Sequence, residues 1–256
     1  MKKKKIEPVF AGSWLEYSGV EDLIRKTADT GGKRLFLSTY DVSPIDDSFQ
    51  RVRDVGVMAA ENGLEIFSYS IGHELGTHSP DALEMKLAVA ETLGAKRVVF
   101  ETPRDNDFKS TSCEFIGLRR RMVSDFRKAV RQCRRKGLGI LVRCDLERYY
   151  PNLEAVTKLL PHMKAAGAKI LLRYKGTYYN DPEIPKERFF REHLRDLSIF
   201  EFDAEYTHGL ASAVAKLPEG VICMIDKPWH GSSKNMTYEE AVADFRKAMA
   251  SVGNRR

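Results

Sequence analysis

The chain has 256 residues, of which 43% are hydrophobic, and its 42 basic and 36 acidic side chains leave a formal net charge of +6. This hydrophobic fraction allows a large buried core and excludes a disordered chain, and no apolar run reaches the roughly 18 residues that cross a bilayer. The basic surplus is interspersed with acids, so it indicates only a weak preference for anionic partners. We therefore expect a soluble globular protein.

The cysteine content and the N-terminal residues predict the cellular localisation. Four widely spaced cysteines without a CxxC pair indicate reduced thiols, and we expect a cytoplasmic protein. The lysine run at residues 2–5 lacks the apolar stretch of a signal peptide, so residues 1–5 are interpreted as a basic, solvated tail. No Gly-, Pro- or Ser-rich linker divides the chain, which predicts one domain over residues 1–256. Oligomeric state is not predicted.

Short apolar runs alternate with amphipathic stretches along the chain. The strands are predicted at residues 6–12, 33–41, 64–71, 96–102, 138–145, 168–175, 198–206 and 220–226. Their nearly continuous hydrophobicity is typical of parallel strands that are covered on both faces.

Helical periodicity and helix boundary signals occupy the intervals. Gly63 and Gly137 end two periodic stretches, Ser79-Pro80 predicts a helix start, and Thr111 with Glu114 predicts a capping box. Further helices are predicted at residues 19–29, 153–163, 186–194 and 209–217 and from residue 237. Eight strands that alternate with eight helices predict a (βα)8 TIM barrel, a closed parallel sheet of eight strands. An open doubly wound sheet is the alternative, but no phosphate-binding glycine motif follows any strand.

Several short segments resemble the xylose isomerase-like barrels, a superfamily that includes sugar-phosphate isomerases, epimerases and endonuclease IV. The similar segments are residues 64–67, Ser79-Pro80, residues 93–100, 136–142 and 152–156, and the closing strand 220–226 with the helix after it. The resemblance covers most of the chain and implies a TIM barrel. It supports fold better than function, because one fold hosts many activities.

The resemblance also implies a metal site built from His, Glu and Asp at successive strand ends, and here the sequence departs from the pattern. Glu101 ends the fourth strand where a histidine is common, and Arg143 stands on the fifth where a glutamate is usual. Arg173 and Lys175 stand around the expected aspartate of the sixth. Fixed positive charges repel a divalent cation, so we expect no metal and no other cofactor. The alternative is a magnesium ion held by Glu101, Asp203 and Asp226.

Strand parity predicts which residues face the barrel interior. On the seventh strand Glu201 and Asp203 share one face and the phenylalanines the other, because side chains alternate across a strand. The same rule places Arg143 with Asp145, and Arg173 with Lys175. Buried charges must neutralise one another or a ligand. Two interpretations stay open: a salt-bridge lattice that fills the barrel, or a site for an anionic or hydroxyl-rich molecule at its C-terminal face.

The second interpretation assigns roles to individual side chains. Glu101 or Asp203 is the candidate general base, and a loop histidine, His73 or His230, is the candidate acid. Lys175 is either an anion contact or an amine that forms a Schiff base. The residues expected to bind the substrate are Trp14, Arg143, Asp145, Arg173, Glu201, Asp226, Lys227 and Trp229.

These assignments predict an isomerase, epimerase or lyase of carbohydrate metabolism. It would abstract a proton next to a carbonyl of a small anionic, carbohydrate-like molecule, with fixed cations in place of a metal. The alternative is a non-catalytic barrel whose basic helix binds nucleic acid or a protein. The basic residues of that helix are Arg119, Arg120, Arg121, Arg127, Lys128, Arg131, Arg134, Arg135 and Lys136. A solvated outer face is the simpler interpretation of the same run.

Overall fold

The structure is a computed structural model of the chain. It describes the backbone of residues 8–11, 19–43, 49–77, 81–102, 113–145, 150–174, 197–203 and 222–226, and of residues 239, 240, 242, 243, 246, 247 and 250 in a C-terminal helical segment. Side chains are described for residues 19–43, 49–77, 82–102, 116–143 and 158–171 and for those C-terminal residues. The predicted helices at 186–194 and 209–217, and the predicted helix starts at residues 79–80 and 111, lie outside these residues.

Strands and helices alternate in the order that the sequence predicts. The strands are β1 (Pro8–Ala11), β2 (Arg34–Ser38), β3 (Glu65–Glu74), β4 (Arg97–Glu101), β5 (Gly139–Asp145), β6 (Lys169–Tyr174), β7 (Leu197–Asp203) and β8 (Ile222–Asp226). The helices are α1 (Val20–Asp29), α2 (Phe49–Glu61), α3 (Asp81–Thr92), α4 (Cys113–Arg135) and α5 (Tyr150–Ala166).

The eight strands form one closed parallel sheet. Each strand pairs with the next one along the chain, and β1 also pairs with β8, with Val9 next to Met224. The predicted (βα)8 barrel is therefore confirmed. In this architecture the C-terminal ends of all eight strands meet at one face of the barrel, which we call the mouth.

Among the described residues, two strand ends differ from the prediction by three residues. β2 stops at Ser38 instead of residue 41, because the Asp41 carboxylate accepts hydrogen bonds from the backbone N–H and the hydroxyl of Ser38, both at 2.7 Å, and holds a turn there. β3 continues to Glu74 instead of ending at residue 71. Its register against β4 shifts between Ser70 and His73, so two extra residues are accommodated as a bulge.

Two apolar clusters separate the inside of the barrel from its outside. The inner cluster, which we call the apolar plug, contributes one side chain from each of β2 to β6: Phe36, Phe67, Val99, Leu141 and Leu171. The larger cluster joins the outward faces of these strands to the buried faces of α1 to α5. The plug fills the barrel beneath the mouth, so polar residues further along the same inner faces lie above an apolar floor.

The helices close around the sheet as the periodicity predicts. In α2 the buried residues are Val52, Val55 and Ala59, and Gly63 follows with φ of 69°, a left-handed conformation that glycine adopts without strain. At the other end of the chain Val242 is buried in the outer cluster, and the Arg246 guanidinium donates to the Thr30 carbonyl after α1. No helix in the described part of the chain is both long and apolar enough to span a membrane.

Candidate active site

The strand registers bring charged residues together at the inner edge of the mouth. Neighbouring residues on paired parallel strands share a face, so the plug residues Leu141 and Leu171 assign Arg143 and Arg173 to the inner face. The pairs that follow in register around the mouth are Glu101 with Arg143, Asp145 with Arg173, Arg173 with Glu201, and Asp203 with Asp226. This placement agrees with the alternation read from the sequence.

Glu101 and Arg143 are the charged pair at the mouth whose side chains the structure describes. Glu101 is 8% exposed, although it ends its strand and carries a carboxylate. Its carbonyl accepts a hydrogen bond from the backbone N–H of Leu75 at 2.9 Å, and the Thr102 hydroxyl donates to the Arg143 carbonyl at 3.3 Å. The loop after β3 and the two strand ends are therefore linked, which fixes the backbone beneath both charged groups.

A lysine from the helix layer adds a second positive charge at this position. Lys86 of α3 donates from Nζ to the carbonyl of Gly72 at 3.1 Å. Burial lowers the pKa of the Lys86 ammonium, and the charge of Glu101 acts in the opposite direction. Sequence analysis did not single out this residue, because a lysine in an amphipathic helix is usually solvated. The position of Lys86 in the second turn of α3, shortly after the end of β3, is the sequence feature that could have identified it.

Small hydroxyl side chains and one aromatic ring complete the described part of the mouth. Ser38 is buried at the end of β2, Ser70 is buried in β3 just before the bulge, and Tyr40 after β2 is 85% exposed. Deeper in β3, the Ser68 hydroxyl is buried and has no hydrogen-bond partner among the described residues. Hydroxyls and an exposed ring are groups that contact sugars, and none of these residues was identified from the sequence.

The prediction that His73 lies in a loop after the third strand is wrong. The extension of β3 places His73 inside the strand, where it is fully buried. Its Nε2 lies 2.9 Å from Oδ2 of Asp125 on α4, and its ring meets Phe100 edge-on, with centroids 5.7 Å apart. His73 therefore contacts the helix layer and the outer cluster. Its predicted role as a proton donor at the mouth has no support in these contacts.

The His73–Asp125 pair fastens α4 to the end of β3. The backbone N–H of Gly76 also donates to Asp125 Oδ2, at 2.9 Å. Burial raises the pKa of Asp125, but the hydrogen bonds from His73 and Gly76 and the charges of His73 and Lys128 outweigh it and hold that pKa below its ordinary value. A side chain at Gly76 would place its Cβ 2.7 Å from the Met122 backbone nitrogen, so the loop and the helix are in close contact.

Other predicted site residues fall into two groups. For Asp145, Arg173, Glu201, Asp203 and Asp226 the structure gives the backbone position at the mouth and no side chain. The remaining residues lie outside the described part of the chain: Trp14, Lys175, Lys227, Trp229 and His230.

The metal site implied by the resemblance does not fit the residues present. Arg143 holds the inner-face position directly beside Glu101, and a permanent guanidinium charge there opposes a divalent cation. Among the described residues, no three His, Cys, Asp or Glu side chains are grouped closely enough to hold a metal ion. The charge of Glu101 interacts with that of Lys86, and Arg143 is its neighbour in register.

Comparisons with known proteins find similarity at the level of structure. No protein-family model matches the chain. No curated protein sequence matches it either. Solved structures match over nearly the whole length. A xylose isomerase domain-containing protein from Salmonella typhimurium LT2 has a TM-score of 0.68 at 11% identity, over 99% of this chain and 100% of that one.

Two epimerase structures are equally similar. The 3-keto-D-glucoside 4-epimerase of E. coli has a TM-score of 0.69 at 11% identity, over 95% of this chain and 100% of that one. An L-ribulose 3-epimerase has a TM-score of 0.69 at 14% identity, over 97% and 94%. Similarity at such low identity shows the fold alone, and that fold is the TIM barrel.

Proposed function

We propose that this chain is a carbohydrate isomerase or epimerase that abstracts a proton next to a carbonyl of a small anionic substrate at the mouth of the barrel. The observation that carries the proposal is the Glu101–Arg143 pair, at adjacent strand ends above the apolar plug. Enzymes of this fold have their active sites at this face, and their catalytic residues come from the ends of several strands. A base and a cation in neighbouring positions are what enolate formation requires.

Glu101 is the proposed general base. A carboxylate that is largely withdrawn from water and held on a rigid strand end can accept a proton from a bound carbon acid. Asp203 is the second candidate base. β7 and β4 are separated by two strands on one side of the ring and four on the other, so Asp203 and Glu101 hold positions on nearly opposite sides of the mouth. Groups on two sides of one carbon are what an epimerisation needs.

Cationic side chains take the role of stabilising the negative charge that develops on the substrate oxygen. Arg143 neighbours Glu101 in register, and Lys86 is close enough for its charge to interact with that of Glu101. Preset donors aimed at developing charge contribute some of the largest effects in catalysis. Arg173, between Asp145 and Glu201, is proposed to bind the anionic group of the substrate through its planar fork.

Two of the similar structures support the class of reaction. They are named as epimerases of a 3-keto-D-glucoside and of L-ribulose, and both cover nearly the whole chain. Each name describes inversion at a carbon of a keto sugar. The lyase reaction and the Schiff-base role of Lys175 find no such support in these comparisons.

The test measures proton abstraction without knowledge of the product. The full-length protein is incubated in D2O with ketoses, keto sugars and their phosphates, and proton NMR follows the exchange of hydrogens next to the carbonyl. We expect exchange with at least one compound, and the Glu101→Gln variant to be at least about 100-fold slower. Glu84→Gln, at an exposed position of α3, is the control; its rate should stay within about threefold of wild type.

The opposite outcome has a defined meaning. If no compound exchanges, and no sugar phosphate or sugar acid raises the melting temperature of the protein, the charges at the mouth form a structural lattice and the proposal is wrong. If Glu101→Gln exchanges at the wild-type rate while an Asp203→Asn variant is inactive, the assignment of the base changes and the proposed reaction stands.

A further inference from the structure

A second charged surface lies on the outside of the barrel, away from the mouth. There α4 and α5 border a cavity of about 620 Å³, which we call the α4–α5 groove. Six of its lining residues are cationic: Arg119, Arg120, Arg127, Lys128, Arg131 and Lys158. The other lining residues are Ile116, Val123 and Ser124. Among the described residues, no carboxylate lines this groove.

The cations of α4 divide into two sets. Those outside the groove include residues that bind neighbouring elements: Arg121 donates to the Gly76 carbonyl at 3.3 Å, and Lys136 forms an ion pair with Glu91 at 2.6 Å. Inside the groove, Arg120, Arg127 and Arg131 are exposed. The packing contacts of Arg121 and Lys136 therefore do not account for these three exposed arginines.

The spacing of the three exposed arginines suits an extended polyanion. They are seven and four residues apart, which keeps them within about 20° of one line along a helix of 3.6 residues per turn. At 1.5 Å per residue, Arg120 and Arg131 are about 16 Å apart along the axis. Along the axis of a duplex, where each strand has one phosphate every 3.4 Å, that length corresponds to about five phosphates of one strand.

We propose that the α4–α5 groove binds the phosphate backbone of a nucleic acid. Arginine forks match phosphate oxygens in a bidentate way, and the Ser124 hydroxyl and the two lysines add further donors. Among the described residues, no aromatic side chain lines the groove, so this part of it offers no platform on which bases could stack. We therefore expect binding through the phosphates, which does not depend on base sequence. This activity is separate from the proposed reaction, because the groove shares no residue with the mouth.

Two other anionic partners fit the groove less well. A membrane surface is met by helices that present apolar side chains outward, whereas Val123 is partly buried and packed against the outer cluster. An acidic protein segment carries its carboxylates among other side chains at irregular intervals. Among the described residues that line the groove, the arginines are accompanied by no carboxylate, which matches a partner in which every unit is charged.

Fluorescence anisotropy with a labelled 20-nucleotide single-stranded DNA and its duplex tests the proposal on the full chain. We expect micromolar binding to at least one of them at low salt, weakening steeply as salt rises. The groove variant carries Arg120→Glu, Arg127→Glu and Arg131→Glu. We expect it to bind at least about tenfold more weakly, with a salt slope reduced by roughly two to three.

The control variant carries Lys33→Glu, Arg53→Glu and Lys96→Glu, at exposed positions outside the groove. Each reversal changes the charge by two, so three reversals lower the net charge of +6 to zero in both variants. The control should keep its affinity within about threefold. If the groove variant does not fold, as judged by circular dichroism, the corresponding Arg→Gln triple variant replaces it.

Three results would overturn the proposal. The first is wild-type protein that binds neither DNA at about 50 mM salt. The second is a control variant that loses as much affinity as the groove variant, which would assign binding to overall charge. The third is tighter binding to polyglutamate, or to vesicles with anionic lipid, than to either DNA, since the occupant would then be a protein or a membrane.

Discussion

The two ends of the barrel interior both carry charged side chains, and they use them differently. At the N-terminal end, Arg34 pairs with Glu65 at 3.1 Å, and the guanidinium groups of Arg34 and Arg97 lie 5.1 and 4.3 Å from the centre of the Phe67 ring. These contacts join three adjacent strands into a closed cluster. The Phe67 ring, which belongs to the apolar plug, contacts both guanidinium groups, so these charges have partners within the protein and need no ligand.

At the mouth the charged residues stand at the strand ends above the plug. Glu101 is more buried than either member of the Arg34–Glu65 pair, whose side chains are 27% and 39% exposed. Lys86 and Thr102 direct hydrogen bonds to the Gly72 and Arg143 carbonyls. The comparison teaches that charge inside a barrel does not by itself indicate a site. The N-terminal cluster joins three strands, whereas the mouth brings a buried carboxylate and cationic residues to the face at which enzymes of this fold react.

The largest expected effect comes from removing Arg143 at the mouth, with removal of Arg34 at the N-terminal end as the control. Arg143→Met should lower the rate of deuterium exchange by about 100- to 1000-fold, because a preset positive charge is lost where the substrate oxygen becomes negative. Arg34→Met, at the opposite end, should leave that rate within about threefold of wild type. Exchange measured by NMR, with urea unfolding as a check on folding, compares the two. Equal losses in both variants would contradict the distinction between the ends.

The next largest effect concerns the buried pair that fastens α4 to β3. Replacing Asp125 with Asn should lower the free energy of unfolding by about 3 kcal/mol near neutral pH, since an ionised partner of buried His73 is removed. Urea unfolding measures the change. Asp54→Asn on the exposed side of α2 is the control, and it should change stability by no more than about 0.5 kcal/mol.

The same pair makes a prediction for pH. Native Asp125 has its pKa below the ordinary value of 3.8, so its ionised form stabilises the fold. This stabilisation is complete at pH values above the unfolded-state pKa and is lost as pH falls through the lower, folded-state pKa. The stability difference between wild type and Asp125→Asn should therefore shrink as pH falls below about 4. A difference that stays unchanged or grows below that pH would contradict the cause given for the shift.

The sequence predicts the architecture because its signals are periodic. Continuous apolar runs, glycines such as Gly63 after helices, and eight repeats were enough for the closed barrel. Alternation also placed Arg143 with Asp145, and Arg173 with Lys175, on one face of their strands. The plug residues Leu141 and Leu171, two positions earlier, identify the face of Arg143 and Arg173 as the inner one. These inferences use only the neighbouring residues on one strand, and that information is present in the sequence.

The site was harder to predict because it depends on contacts between distant segments. His73 was assigned to a loop, since no local pattern announces the bulge that lengthens β3 past Ser70. Its partner Asp125 is 52 residues away. Lys86 has the sequence context of a surface lysine, and only the packing of α3 brings its charge near Glu101. Such pairings arise from tertiary packing, which single-strand patterns do not encode.

The smallest expected effect concerns the closed, N-terminal end. Glu65→Gln should destabilise the protein by less than about 1 kcal/mol, because the partner side chains are partly exposed and water screens their interaction. Glu91→Gln, which breaks the Lys136 pair on the helix layer, is the matched control and should have a similar small effect. Urea unfolding at low and high salt tests whether these two ion pairs are exposed. The contribution of an exposed pair to the free energy of unfolding falls at high salt, whereas that of a buried pair does not. A loss above about 2 kcal/mol for Glu65→Gln alone would contradict this expectation. It would mean that Arg34 and Arg97 need the Glu65 carboxylate to remain stacked on Phe67, and that the N-terminal cluster contributes strongly to the stability of the barrel.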